Sequence, residues 1–509
     1  MKLNDYNVPD TKVKLRLRQS FTALGPLLGV CVTGMSSGYS AILLPQLKTI
    51  STNDSESLSS ESASADHFGV LSTDQESWIA AAVTLLVAPG CWTGGFVAEK
   101  LGRKTSVILL FPVYFISWLI IAFANSIDVL IAGRLLSGYC AGVLAPIFSI
   151  YVSETTDPQL RGVLLGAVSL TLSAGILACH AMGTWLHWRT TAYISGVLPV
   201  ICWILSVYSQ ESPLWLLGKG KIENARRSWI YLRGEESLEE FSLLETDRLA
   251  EISAKRIEKR SLLRSFRKTW SSRSFLMPFS IVCLYFFIMQ FSGTNVMTFY
   301  CVEMLTDVSG PAYAYLITLI VDVIRLIFAV LVFVFLKICR RRTVMLISGF
   351  GAAITMLSLS ACLTFDIGRP WSPMILLITY VGLLSMGLFF LPWMYCGELF
   401  SRKHRGFGSG LASSFNFACL FVVIKTMPLM MEFVKPEGTF AVYGTVALVG
   451  TSVLYFVLPE TKNKTLQEIQ MSFGKEFHAP QAQSADVPLR ERVSFEKNNG
   501  LDKEMPLDK

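Results

Sequence analysis

The sequence predicts an all-α membrane protein, with twelve transmembrane helices in two pseudo-symmetric six-helix bundles. Three observations predict it. Only 16% of the 509 residues are charged and 52% are hydrophobic, where a soluble chain carries about 25% charged residues. The apolar residues gather into runs of about twenty, the length a helix needs to cross a hydrocarbon core. The runs divide six and six around a polar stretch in mid-chain.

Residues 1–20 read as a basic cytosolic segment (Lys12, Lys14, Arg16, Arg18) and are expected to hold no cleavable leader, because the apolar run that follows is long enough to stay in the membrane. In the first half, 21–209, spans are expected near 21–45, 78–98, 105–124, 127–153, 162–184 and 190–209. In the second half, 275–458, they are expected near 275–300, 311–337, 343–364, 373–397, 407–431 and 439–458. The run lengths favour helices over strands, and so does the need of a spanning backbone to satisfy its own hydrogen bonds. The linker 210–274 mixes Glu235, Glu236, Glu239 and Glu240 with Lys255, Arg256, Lys259 and Arg260, which predicts short helices at a membrane surface. The polar tail 459–509 is expected to be mostly disordered.

Lys and Arg crowd the N-terminal segment and the joints after spans two, eight and ten, while the loop 46–77 holds one Lys and several acids. This asymmetry predicts cytosolic termini, a cytosolic linker and an extracellular loop 46–77. Asn53 in that loop begins an Asn-Asp-Ser glycosylation acceptor. The net charge of +7 belongs to the cytosolic joints and does not indicate a nucleic-acid partner. Eleven scattered cysteines without a C-x-x-C pair read as small packing residues, so neither a metal nor a cofactor is expected. The chain has five His and shows no phosphate loop or nucleophile constellation, which argues against an enzyme.

The joints repeat. Span two ends in Gly94-Gly95 and runs through Glu99 to Gly102-Arg103-Lys104, and the equivalent joint of the second half is Lys337 to Arg341-Arg342-Thr343. Glu154 precedes Arg161-Gly162 by seven residues, as Glu398 precedes Arg405-Gly406. Matching charges in both halves suggest salt bridges that hold the cytosolic side shut, although isolated basic joints arise from topology alone.

These motifs, with Gly133-Arg134, Tyr151 to Glu154, Glu211-Ser212-Pro213, Gln290 to Asn295, Pro392-Trp393 and Pro459-Glu460-Thr461-Lys462, resemble those of the sugar porter family of the major facilitator superfamily, over nearly all of 20–473. Gly38-Tyr39-Ser40 and Lys425-Thr426-Met427-Pro428 are most similar to the insect facilitated trehalose transporters within it. The resemblance implies the major facilitator fold and a facilitative transporter of trehalose, or of a related sugar such as glucose, in the plasma membrane. It adds Arg134, Glu211 and Glu460 to the gating set, and it places Gln290, Asn295, Trp393 and Asn416 at the sugar site. Sugar hydroxyls want neutral donors and acceptors, and sugar C–H faces want an aromatic surface. Tyr300 is a candidate lid, and Ser169 stands where the family often has Gln. Arg325 stands where Asn is common, three residues after Asp322: it can pair internally, or mark a charged solute. Ser40, in place of the Asp of proton-driven members, predicts facilitated diffusion. A monomer is expected, and a non-transporting sensor is the other class the same fold permits.

Overall fold

A computed structural model describes residues 12–56, 68, 71–246, 273–368, 371–400 and 405–462. The first half comprises α1 (Lys12–Glu56), α2 (Thr73–Leu85), α3 (Val87–Leu101), α4 (Arg103–Ala122), α5 (Ile127–Thr155), α6 (Pro158–Trp185) and α7 (Trp188–Tyr208). The linker contributes α8 (Pro213–Gly218) and α9 (Ile222–Arg233). The second half comprises α10 (Arg273–Phe291), α11 (Val296–Phe299), α12 (Cys301–Ser309), α13 (Pro311–Ile338), α14 (Arg341–Thr364), α15 (Trp371–Met386), α16 (Leu391–Glu398), α17 (Arg405–Phe433) and α18 (Lys435–Val457).

Local chemistry sets several starts. Ser72 accepts from Gln75 N while Gln75 Oε1 accepts from Ser72 N, a capping box that opens α2. Ser126 caps α5, and Pro158 and Pro311 occupy first-turn positions where their missing N–H costs nothing. Among the described residues, eleven helices are long and apolar enough to span a membrane. The twelfth expected span is represented by the shorter apolar helix Phe275–Phe291, cut off where the chain unwinds at Ser292–Asn295.

One boundary differs from the sequence reading. α1 starts at Lys12 and continues past residue 45 to Glu56, so it takes residues from both the expected N-terminal segment and the expected loop 46–77. Between Leu47 and Glu56 there is neither Gly nor Pro to stop it. Asn53 therefore has a helical backbone, and its side chain lies outside the described residues.

Within the halves, α1 lies against α5, α6 and α7, and α14 lies against α15 and α18, and one buried apolar cluster runs through both. The halves meet along fewer seams, with α2 and α3 on α17, α6 on α13, and α1 on α11 and α12. Those seams are where a path between the halves must open.

Candidate substrate site

The unwound segment after α10 positions the first cluster. Gly293 adopts φ +85°, and the Ser292 carbonyl accepts from Tyr380 Oη at 2.7 Å, which pins the break to α15. Three predicted side chains then join in one amide chain. Asn295 Nδ2 donates to Gln290 Oε1 at 2.8 Å, and Gln290 Nε2 donates to Asn416 Oδ1 on α17 at 2.8 Å. Gln290 and Asn416 are each 1% exposed, and Asn295 at the end of the chain is half-buried. Buried amides of this kind persist only when paired. Trp393 makes no part of that chain. It stacks edge-on against Phe286 at 5.0 Å and tilts against Phe417, beside Asn416, leaving 40% of its surface open.

A second group lies between α6 of the first half and α13 and α15 of the second. Ser169, Ser173, Arg325 and Ser385 line a space of about 10 Å³, room for about one water, with Phe389 and Phe390 at one side. Arg325 Nη1 lies 3.4 Å from Asp322 Oδ1, an ion pair without hydrogen-bond geometry, so that nitrogen has no hydrogen-bond partner. Tyr300 stands apart from both groups. It is fully buried and donates to Ile424 O at 3.0 Å, tying α17 to the start of α12.

The face that carries the basic joints holds two copies of one charged arrangement. In the first half Arg103 Nη2 donates to Glu154 Oε1 at 2.9 Å, and Nε lies 2.8 Å from Oε2. Glu211 Oε1 accepts from the backbone N–H of Arg103 at 2.9 Å and of Lys104 at 3.1 Å, capping α4 from a remote point of the chain. Tyr151 Oη donates to the Gln210 carbonyl. In the second half Arg341 bonds Glu398, Glu460 Oε2 accepts from Arg342 N at 3.2 Å to cap α14, and Tyr395 Oη donates to the Pro459 carbonyl at 3.3 Å. A carboxylate at each helix N-terminus meets unpaired N–H groups and the positive end of the dipole.

In this conformation the expected pairs between the halves are not seen at this face among the described residues. Arg103–Glu154 and Arg341–Glu398 each join helices of the same half, not one half to the other. Glu211 and Glu460 are helix caps rather than salt-bridge partners. Glu99 is exposed and uses only its backbone carbonyl, which accepts from Trp215 Nε1. Arg161 Nη2 reaches the Thr156 carbonyl at 3.3 Å and not Glu154, whose oxygens are already taken by Arg103 and Ser212. Arg134 is remote from this face. It is fully buried near the other end of α5, where it donates to the carbonyls of Ser36 and Ile79 and to Ser40 Oγ. Arg405 opens α17, with its side chain outside the described residues.

The cap makes a prediction. Gly102 adopts φ +105°, and a Cβ there would lie 2.4 Å from Glu211 Oε2. Gly102→Ala should destabilise the protein by about 1–3 kcal/mol through backbone strain and a displaced cap. The check is a melting curve of the purified protein, and an unchanged midpoint would refute it.

The model of the sugar (and other) transporter family matches residues 22–473. The chain belongs to that family. A facilitated trehalose transporter of Polypedilum vanderplanki is 30% identical over 459 residues, covering 89% of this chain and 87% of that protein. A facilitated trehalose transporter of Drosophila mojavensis is 29% identical over 460 residues, or 89% of this chain and 51% of that protein, so the chain spans about half of that relative's length. The inward-open structure of the xylose transporter XylE from E. coli shares the fold, with TM-score 0.72 and 20% identity, covering 89% of this chain and 99% of that one.

In this member of the family the face opposite the basic one carries contacts between the halves. Lys48 at the far end of α1 lies 2.5 Å from Glu303 on α12 and 3.0 Å from Glu76 on α2. Lys425 on α17 lies 2.6 Å from Asp74 and 2.7 Å from Ser77 Oγ on α2, over the ring of Trp78. Past mid-span toward the basic face, Trp92 Nε1 donates to Ser414 Oγ at 2.7 Å, and on the sealed side of mid-span His180 on α6 meets Asp322 on α13. Sequence reading missed His180. A single His in an apolar run carries no periodic signal, and its partner is 142 residues away. Lys48 enters the sequence reading only as the single Lys of 46–77 and Lys425 only as part of the Lys425-Thr426-Met427-Pro428 motif, neither with a partner.

Proposed function

We propose that the protein is a facilitative sugar transporter working by alternating access, with trehalose or a related sugar such as glucose as its substrate. The observation that carries the reading is the amide chain Asn295–Gln290–Asn416 beside the helix break. It offers neutral donors and acceptors suited to sugar hydroxyls, and the open ring of Trp393 suits a sugar C–H face. Relatives named as facilitated trehalose transporters support the substrate class. The excess of Lys and Arg on one face supports cytosolic termini in a plasma membrane. The sealed face is then external, Asn53 belongs to that side as a glycosylation acceptor, and the conformation described faces inward. Arg134 meets Ser40 Oγ and two carbonyls, so no acid stands at this position to cycle a proton. Sugar then moves only down its own gradient.

The test is uptake of labelled trehalose and glucose into cells expressing the chain. Saturable uptake that plateaus at the external concentration, and is lost in Asn295→Ala and Asn416→Ala, is the expected result. No uptake by protein shown to be at the surface would overturn the reading. One observation favours a second solute class, since Arg325 brings a guanidinium to a cavity lined by Ser169, Ser173 and Ser385. Uptake of a labelled sugar acid in place of neutral sugar would move that reading to the front.

A further inference from the structure

His180 and Asp322, which the proposed sugar path does not use, form a polar contact across the seam between the halves. His180 Nδ1 lies 2.5 Å from Asp322 Oδ2, and His180 Nε2 lies 3.0 Å from the carbonyl oxygen of Gly38. Each residue is 1% exposed. One contact thereby ties α1 and α6 of the first half to α13 of the second. It lies deeper in the same closed face as the Lys48 and Lys425 ion pairs.

The partners fix the proton count. The Gly38 carbonyl can only accept, so Nε2 carries a hydrogen. Nδ1 and Oδ2 attract each other only with a proton between them, so the closed contact holds one proton more than a neutral imidazole and a separate carboxylate. The titratable and charged neighbours are Arg325 on α13 at 3.4 Å from Asp322, Cys179 on α6, Cys301 on α12, Arg134 of α5 beyond Cys179, and Tyr380 of α15 beyond Arg325. Of these, Arg325 alone forms an ion pair with Asp322.

We propose that His180 and Asp322 form a proton-dependent latch between the two halves, so that opening the sealed face releases a proton. The inference rests on the alternating-access reading. Opening separates the two partners and puts the ring in water, where the shared proton can leave. The sealed state therefore binds more protons than the open one, and rising pH favours opening. One linked proton shifts the equilibrium by at most about tenfold per pH unit. The proton returns from the face to which it was lost, so the latch sets the rate of opening without driving sugar uphill.

Two measurements test it. The first is equilibrium exchange of labelled trehalose with equal pH on both sides, from about pH 6 to about pH 8. Exchange should rise at least about threefold across this interval in the unaltered chain. It should be flat in His180→Gln, which keeps a hydrogen bond to Asp322 but cannot titrate, and it should keep its slope in His187→Gln, a histidine outside the latch. A flat profile in the unaltered chain, or a slope surviving in His180→Gln, overturns the latch. The second measurement needs no substrate. Met427, 2% exposed, lines a cavity at the sealed face together with the seal's own Lys48, Glu76 and Glu303. The rate at which an impermeant thiol reagent labels Met427→Cys, divided by its rate in the Met427→Cys, His180→Gln double variant, cancels the ionisation of the thiol itself. That ratio should climb with pH, and a constant ratio overturns the latch. A climbing ratio in a chain that exchanges no sugar would overturn the sugar reading and leave the latch standing.

Discussion

Gln290→Ala is expected to lower kcat/KM for sugar uptake by about 100-fold or more, with the protein still reaching the surface. Gln290 accepts from Asn295 and donates to Asn416, both at 2.8 Å, and it is 1% exposed. Truncation removes both bonds at once. Each buried polar group left without a partner costs about 1–3 kcal/mol, and every 1.4 kcal/mol is about tenfold in rate. The loss also frees Asn295 and Asn416 from the geometry that the proposed sugar site requires of them. A site built from hydrogen bonds discriminates more sharply than an apolar one, because its own groups go unpaired when the match fails. Gln290→Glu keeps the shape but buries a charge, so it should be as defective. The check is initial uptake at low sugar, normalised to surface protein. Near-unaltered uptake by Gln290→Ala would show that the amide chain only joins α10 to α17.

The second large effect is on stability. Glu154→Ala should destabilise the protein by about 3 kcal/mol, because removing one member of a largely buried ion pair leaves the other uncompensated. The Arg103 and Glu154 side chains are only 13% and 16% exposed, and Ser212 Oγ loses its acceptor too. For a half of about 200 residues this corresponds to a fall of about 6–12 °C in melting midpoint. Glu398→Ala should do the same in the second half by removing the partner of Arg341. Each pair is confined to its own half, so the two losses should add to within about 0.5 kcal/mol in the double variant. Strong non-additivity would indicate that these residues lock one half to the other.

Much of this molecule is legible in its sequence, for identifiable reasons. Spans are legible because the bilayer demands about twenty apolar residues, and the break in the seventh because Ser292-Gly293 interrupts such a run. Gln290, Asn295 and Asn416 stand out as amides where apolar residues are the rule, and the structure links them. Pairing was harder to read. The spacing of Glu154 and Arg161 shows a repeat but not a partner, and Glu154 goes to Arg103, which lies 51 residues away. Arg134 reads, through the Gly133-Arg134 motif, as a gating salt-bridge residue, yet burial commits it to two carbonyls and a hydroxyl. The ion pairs of the closed face, and the His180–Asp322 contact, depend on how the two halves meet. No local pattern in either half encodes that meeting.

Counterflow tests the central claim most directly. Vesicles containing the purified protein are loaded with unlabelled trehalose, diluted into a trace of labelled trehalose with equal pH on both sides, and treated with a protonophore. A uniporter that alternates between two faces must show a transient accumulation of label above the external level, followed by decay to equilibrium. Label that never exceeds the external concentration, from protein that is folded and inserted, would contradict the account.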